Sequence, residues 1–216
     1  MAYDFRELEK ILYSAVISDI LDDLGYRNHV MNQCIKPLKN DMVILGRAFP
    51  ILVKEVKEYD VNEPYKVMLE AISNIKNNDV VVIVSESKNT AVWGELFSNA
   101  AKVRGSRGVI IDGYNRDTQK ILKLEFPVFS CGTLPLDSKG RAEAVCYNCN
   151  VKSGQAEIKA GDLIFADIDG VVVIPKEIED EVIRRALEKV SKENVVRDEI
   201  LKGKSPIEIW RKYRVF

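Results

Sequence analysis

Glu95, Arg116 and Asp117 are the residues of this chain whose types and spacing could do chemistry. Glu95 follows Gly94 at the start of a run with helical character, and the Arg-Asp pair follows the apolar stretch Gly108-Val109-Ile110-Ile111-Asp112-Gly113. Twenty residues separate Glu95 from Arg116. One helix and one strand fit into that length, so acid, cation and acid can converge on one small site. Arginine offers a planar fork to a carboxylate or enolate, and an adjacent aspartate can hold a divalent cation. The first N–H groups of a helix beginning near Trp93–Gly94 lack intrahelical partners, and with the positive end of the dipole they can receive a small anion. Glu95 also suits that position simply by complementing the dipole.

The elements that must position these residues can be read from hydrophobic periodicity. The spacing predicts helices over Phe5 to Val16 and Ser18 to Leu24, the second ended by Gly25. Met42 to Val56 reads as strand, interrupted around Gly46 and Pro50. Tyr65 to Ile75 reads as helix, and Val80–Val84 as a strand buried on both faces. Then follow a helix over Thr90 to Val103, a strand over Gly108 to Ile111, a helix over Asp117 to Leu124 and a strand at Pro127–Phe129. This alternation is the pattern of parallel crossover units, whose ligands bind outside the carboxyl ends of the strands. Later runs are β-type: Ala142–Val151, Ala156–Ile158, Asp162–Ala166 and Val171–Ile174. One long helix, Ile178 to Lys202, and a short one, Pro206 to Tyr213, close the chain. No linker divides it, so a single layered α/β domain over 1–216 is expected. Its helical tail, 178–216, carries Val182, Ile183, Ala186, Leu187 and Val190 along one stripe, and packs either on its own domain or on a neighbouring subunit.

Composition narrows the function. The 216 residues carry 32 basic and 33 acidic side chains, a formal net charge of −1, which implies neither a nucleic-acid groove nor a polyanionic tail. No apolar run approaches the roughly 20 residues needed to cross a bilayer, and charges at Asp4, Arg6, Glu7 and Glu9 are unlike a signal peptide, so a cytoplasmic protein without membrane association is expected. The four cysteines are too few for a disulfide scaffold and are expected as thiols. Cys146 and Cys149 have CxxC spacing, but a zinc site would need Cys34 or Cys131 brought to them. His29, the only histidine, lies in a polar loop, and Lys102 has no evident apolar pocket to activate it. Neither GxGxxG nor a P-loop is present. Asp169-Gly170 signals a hairpin turn. Asp167 and Asp169 share one side of an extended strand and read as structural, although an ion or an arginine could bridge them.

At Gly94-Glu95-Leu96, Ala100-Ala101-Lys102-Val103-Arg104-Gly105, Gly108 to Gly113 and Arg116-Asp117, the chain resembles the RraA-like proteins. These include 4-hydroxy-4-methyl-2-oxoglutarate aldolases and regulators of ribonuclease activity. Ala15 to Gly25 and Gly161 to Pro175 agree as well, so the resemblance spans nearly the whole chain. It implies an α/β fold of the swivelling phosphohistidine-domain (β/β/α) type, assembled as a homotrimer or a dimer of trimers with sites between subunits. It also implies a Mg²⁺- or Mn²⁺-dependent lyase acting on a small 2-oxo acid through a pyruvate enolate, by aldol cleavage or oxaloacetate decarboxylation.

Carried over, Asp117 would ligate the metal, Arg116 would hold the keto and carboxylate oxygens, and Glu95 would order metal-bound water. The backbone of Gly94, Glu95 and Leu96 would receive the substrate carboxylate, and Glu193 would be the tail residue reaching a neighbouring site. The family's aldolases carry aspartate where this chain has Glu95, and Tyr114-Asn115 is bulkier and more polar than their pattern. The other implied reading is a non-catalytic trimer that binds and inhibits a ribonuclease.

Overall fold

A computed structural model describes residues 3–215; the outermost residues of the expected 1–216 domain lie outside it. The chain opens with α1 (Phe5–Ile11) and α2 (Ser14–Asp23), a break placed earlier than periodicity suggests. Asp4 caps α1, its carboxylate accepting from the N–H groups of Arg6 and Glu7. Leu12 and Tyr13 are extended. The Ser14 N–H and hydroxyl then donate to the Asp167 carboxylate at 2.8 and 2.6 Å, so a side chain from a distant hairpin opens α2. That carboxylate also accepts from the Asp169 N–H at 3.0 Å. Asp167 is therefore committed to structure, as its place beside the turn suggested.

The parallel core of the sheet is β2 (Ile44–Glu55), β3 (Asp79–Ser85), β5 (Gly108–Asp112) and β7 (Val128–Ser130). The two-residue strand β1 (Lys36–Pro37) borders β7. Beyond β2 the sheet continues antiparallel through β11 (Leu163–Ala166) and β12 (Val171–Ile174), while β8 (Ala142–Tyr147) pairs with the far half of β2. Helices α3 (Lys66–Ser73), α4 (Glu95–Val103) and α5 (Thr118–Lys123) lie in the successive parallel connections. Two small ladders complete the β structure: β4 (Ala91–Trp93) with β6 (Tyr114–Asn115), and β9 (Val151–Ser153) with β10 (Ala156–Ile158).

Strand β2 runs unbroken through both expected interruptions. Gly46 is there because a Cβ would sit 2.6 Å from the Asn78 carbonyl oxygen. The Pro50 carbonyl accepts from the Asn148 N–H at 2.8 Å on the side where β11 gives way to β8. In a strand a residue's N and O face the same neighbour, so the missing proline donor faces that gap. The expected helix over Thr90 to Val103 begins instead with buried β4, and the expected strand Ala142–Val151 is cut by a turn in which Asn148 has φ 52°. All four cysteines are joined, Cys34 to Cys131 and Cys146 to Cys149, contrary to the expectation of thiols. Their Cα separations, 4.6 and 6.1 Å, lie in the range a disulfide spans.

Both faces of β3 are covered. Val81 and Ile83 pack with Met68, Ala71, Ile72, Ala101 and Ile121 on the helical side, while Val80, Val82 and Val84 pack with Val151, Ala156 and Ile158 of the small hairpin. This is the strict alternation that an all-apolar parallel strand requires. A third cluster joins α1 and α2 to β11, β12 and the first half of α6 (Glu179–Leu201), where Val182, Ile183 and Ala186 are buried. The tail thus begins on its own domain, and α7 (Pro206–Tyr213) folds back on α6, with Val196 and Ile209 both buried. Phe165, fully buried in this cluster, is a direct test: Phe165→Ala should lower stability to urea unfolding by about 3–5 kcal/mol through the cavity it leaves.

Candidate functional site

The short β4–β6 ladder brings the two halves of the sequence motif together. Ala91 pairs with Tyr114 and Trp93 with Asn115, and the Arg116 N–H donates to the Trp93 carbonyl at 2.9 Å. The next residues on each strand, Gly94–Glu95 and Arg116–Asp117, are therefore neighbours. Trp93 is locked behind them: its indole N–H donates to Ser98 Oγ at 2.8 Å, and that hydroxyl donates to the Gly94 carbonyl at 3.1 Å.

Asp117 is the most unusual residue of the site. It adopts φ 60°, ψ 27°, a left-handed conformation that aspartate tolerates but seldom adopts. At the N-cap of α5 its side chain makes no capping bond. It turns instead to α4, where Oδ2 accepts from the Glu95 N–H at 3.3 Å. That oxygen lies 2.7 Å from where a Cβ on residue 94 would stand, so glycine is required for the carboxylate to approach. Asp117 Oδ1 has no hydrogen-bond or ion-pair partner among the described residues. Gly94→Ala should displace the carboxylate while leaving the fold intact. We expect any activity dependent on Asp117 to fall about tenfold or more with an unchanged melting profile, read by steady-state kinetics beside thermal unfolding.

Arg116 reaches over the same corner, with Nε 3.9 Å from Asp117 Oδ2 and a terminal nitrogen 3.6 Å from Asp137 Oδ1. Both pairs are long and part-exposed, so they orient the guanidinium loosely and leave it free to grip a ligand. Asp137 is held in turn by the Tyr65 hydroxyl, which donates to Oδ2 at 2.6 Å. Burial first, then this bond to a carboxylate, push the Tyr65 pKa up to about 12, so the phenol remains a donor at neutral pH.

These groups rim a cavity of about 400 Å³ whose other walls include Leu69, Trp93, Leu96 and Phe97. Leu96 is 77% exposed at its edge.

Sequence reasoning missed Asp137 and Tyr65, which lie in loop and pre-helix positions without a local signal. Asn115, the polar residue just before Arg116, is buried beneath the site. Its Oδ1 accepts from Ser130 Oγ at 2.7 Å and its amide donates to Thr118 Oγ1 at 3.1 Å, bracing the loop that presents Arg116 and Asp117.

The remaining sequence candidates are placed as follows. The Glu95 backbone is in the site, but its carboxylate turns along α4 to accept from Asn99 Nδ2 at 2.5 Å. Glu193 is on α6, where it accepts from the Tyr13 hydroxyl and burial raises its pKa; within this chain it does not line the cavity. His29 is buried between Ser18 Oγ and the Tyr26 carbonyl, at 2.8 and 2.7 Å. Lys102 donates to the Leu124 carbonyl. Cys34, Cys131 and Asp112 cluster within 4.8 Å, but with the two sulfurs bonded to each other they offer no thiolate pair.

The molecule is thus a mixed α/β protein with an acid-and-arginine pocket in the loops that follow the carboxyl ends of β3 and β5. A sequence model of the RraA-like group, described as aldolase/RraA, matches residues 14–173, and the chain belongs to the RraA-like family. An uncharacterized protein of Methanocaldococcus jannaschii is 36% identical over 176 residues, covering 78% of this chain and 79% of its own. A protein of Halalkalibacterium halodurans, provisionally named a 4-hydroxy-4-methyl-2-oxoglutarate aldolase, is 31% identical over 203 residues, covering 92% and 91%. The crystal structure of Streptomyces coelicolor RraAS2, described as an unusual member of the RNase ES inhibitor RraA family, superposes with a TM-score of 0.82 over 90% of this chain and 96% of its own, at 24% identity. Among the described residues no helix is long and apolar enough to cross a membrane.

Proposed function

We propose that this protein is a divalent-metal-dependent lyase that cleaves a C–C bond of a small 2-oxo acid, of the 4-hydroxy-4-methyl-2-oxoglutarate aldolase or oxaloacetate decarboxylase kind. The observation that carries this reading is the Asp117 carboxylate, held in a left-handed turn against Gly94 with one oxygen unpartnered and the Arg116 guanidinium alongside.

The donor set suits Mg²⁺ or Mn²⁺: the cavity is lined by the Asp117 carboxylate, one oxygen of which is unpartnered, and by Asp137, already engaged by Tyr65 and Arg116, with no imidazole or thiolate on its walls, which leaves most positions to water and substrate oxygens, as these hard ions require. When bound, such an ion supplies Lewis-acid polarisation of the 2-oxo carbonyl.

The chain's own residues supply the rest. Arg116 binds the keto and carboxylate oxygens and stabilises the negative charge that collects as a pyruvate enolate when the adjacent C–C bond breaks. The N–H groups at the start of α4, around Gly94, Glu95 and Leu96, receive the substrate carboxylate, that of Glu95 giving up its long bond to Asp117 for the ligand. Tyr65 and Asp137 steady the guanidinium from behind. Glu95, at the start of α4, carries a further carboxylate, and once released by Asn99 it can accept or return a proton.

Exposed Leu69 and Leu96 at the pocket, and exposed Val103 at the far end of α4, support burial against other copies in a homotrimer or hexamer. That arrangement would let Glu193 of a neighbouring tail complete the site. The helix, sheet and hairpin layers are in keeping with the swivelling-domain class. The same exposed apolar edge favours the second reading, a non-catalytic trimer that docks on a ribonuclease, but docking alone has no use for Asp117 and Arg116 in this geometry. A cytoplasmic metabolic role is part of this reading, and the nearly balanced charge of the sequence gives no sign of a nucleic-acid partner.

The test is to incubate the pure protein with Mg²⁺ or Mn²⁺ and either oxaloacetate or 4-hydroxy-4-methyl-2-oxoglutarate, following pyruvate in a coupled assay. Turnover that depends on the ion and stops with EDTA is expected. Turnover surviving EDTA, or none with any small 2-oxo acid, would end the lyase assignment.

A further inference from the structure

Cys34 immediately precedes the short stretch that leads into β1, and Cys131 immediately follows β7, 97 residues later. The segment that starts at Cys131 is the backbone partner of the loop carrying the candidate site. Cys131 N–H donates to the Gly113 carbonyl at 2.9 Å, Asn115 N–H to Gly132 at 3.1 Å, and Leu134 N–H to Asn115 at 2.9 Å. Further along the same segment, Asp137 pairs with Arg116. On the other side, β1 holds β7 through only two residues.

Asp112, at the end of β5, is 4% exposed and faces the same sulfur. Its Oδ2 accepts from Asn32 Nδ2 at 2.6 Å and from Ser153 Oγ at 2.7 Å, while Oδ1 lies 3.8 Å from Cys131 Sγ. Cys34 is exposed and Cys131 half-buried.

We propose that the Cys34–Cys131 pair is a thiol–disulfide exchange site that controls how firmly the Gly113–Asp117 loop, and with it Arg116 and Asp117, is held. The attacking reagent is a dithiol. Its thiolate attacks the exposed Cys34 Sγ, the S–S bond breaks, and Cys131 leaves with the electron pair and takes a proton from solvent. Asp112 Oδ1, 3.8 Å from that sulfur, is placed to accept the new S–H. The second thiolate of the reagent then resolves the mixed disulfide on Cys34, which is released and protonated. One protein disulfide gains two electrons and two protons, and one dithiol is oxidised. Cys146 and Cys149, three residues apart across a turn, close so short a loop that their pairing constrains little else.

The consequence for catalysis rests on the lyase reading, but the exchange site is tested apart from it. Full-length protein, oxidised and dithiothreitol-reduced, is compared with Cys34→Ser and the control Cys146→Ser by hydrogen exchange, with thiols mapped by alkylation and mass spectrometry. Reduction and Cys34→Ser should each speed amide exchange at 113–117 and 131–137 at least about fivefold. Cys146→Ser should leave those segments unchanged, and alkylation should reach Cys34 before Cys131. Exchange rates equal within twofold in oxidised and reduced protein, or free thiols at 34 and 131 after mild oxidation, would overturn the proposal. Pyruvate release measured on the same samples should differ severalfold between the two redox states. If it is absent in both while the exchange difference persists, the lyase reading fails and the exchange site stands.

Discussion

Asp117→Asn should lower metal-dependent pyruvate release at least about 100-fold with the fold unchanged. Asparagine is nearly the same size and tolerates the left-handed conformation that residue 117 adopts, so backbone strain does not confound the result. What it removes is the negative charge of a carboxylate that lines the cavity, and a neutral amide is a poor ligand for a hard divalent ion. A factor of 100 corresponds to about 2.7 kcal/mol of transition-state stabilisation, ordinary for the loss of one charge in a preorganised site. Apparent affinity for Mg²⁺ should weaken in parallel. Asp117→Ala should be at least as damaging, since alanine at positive φ adds strain to the lost charge. Variants as active as the parent in the coupled assay would leave Asp117 without the role given to it here.

Arg116→Ala should cost a similar factor, about 100-fold in kcat/KM, for a different reason. The guanidinium supplies positive charge where the oxyanion develops, and its planar fork matches a carboxylate edge. Arg116→Lys therefore separates the two contributions: it keeps the charge but loses the fork, and should recover only part of the loss, leaving about a tenfold deficit. Because Arg116 makes only long, part-exposed pairs with Asp117 and Asp137, neither change should alter the melting profile appreciably. The expected signature is a kinetic defect in a normally folded protein. A comparable drop in stability would instead identify Arg116 as a structural strut.

How much of this was legible in the sequence depended on whether the signal was local. Strand β3 announced itself because Val80 to Val84 must be apolar on both faces, and α6 because a long amphipathic run has few alternatives. The proximity of Gly94–Glu95 to Arg116–Asp117 followed from the length of one helix and one strand. The ladder that enforces it did not, because β4 and β6 have three and two residues and their pairing is visible only in three dimensions. The break between α1 and α2 is set by Asp167, more than 150 positions away in the chain, so periodicity carried the first helix too far. Pro50 looked like an interruption because its missing donor is harmful in most central strands; here the neighbouring strand changes at that point. Asp137 and Tyr65 form a pair across 72 positions and left no pattern to find. The direction of the Glu95 carboxylate, turned toward Asn99, likewise depends on a rotamer rather than on spacing.

The central claim is that Asp117 and Arg116 together gather an ion and the keto acid it chelates. Crystals of the protein soaked with Mg²⁺ and pyruvate test this most directly. The expected result is an ion held by the Asp117 carboxylate, pyruvate bound beside it, and the Arg116 guanidinium within hydrogen-bond distance of the ligand. A corner that stays empty at saturating ligand, or pyruvate bound elsewhere with Arg116 still on Asp137, would contradict it.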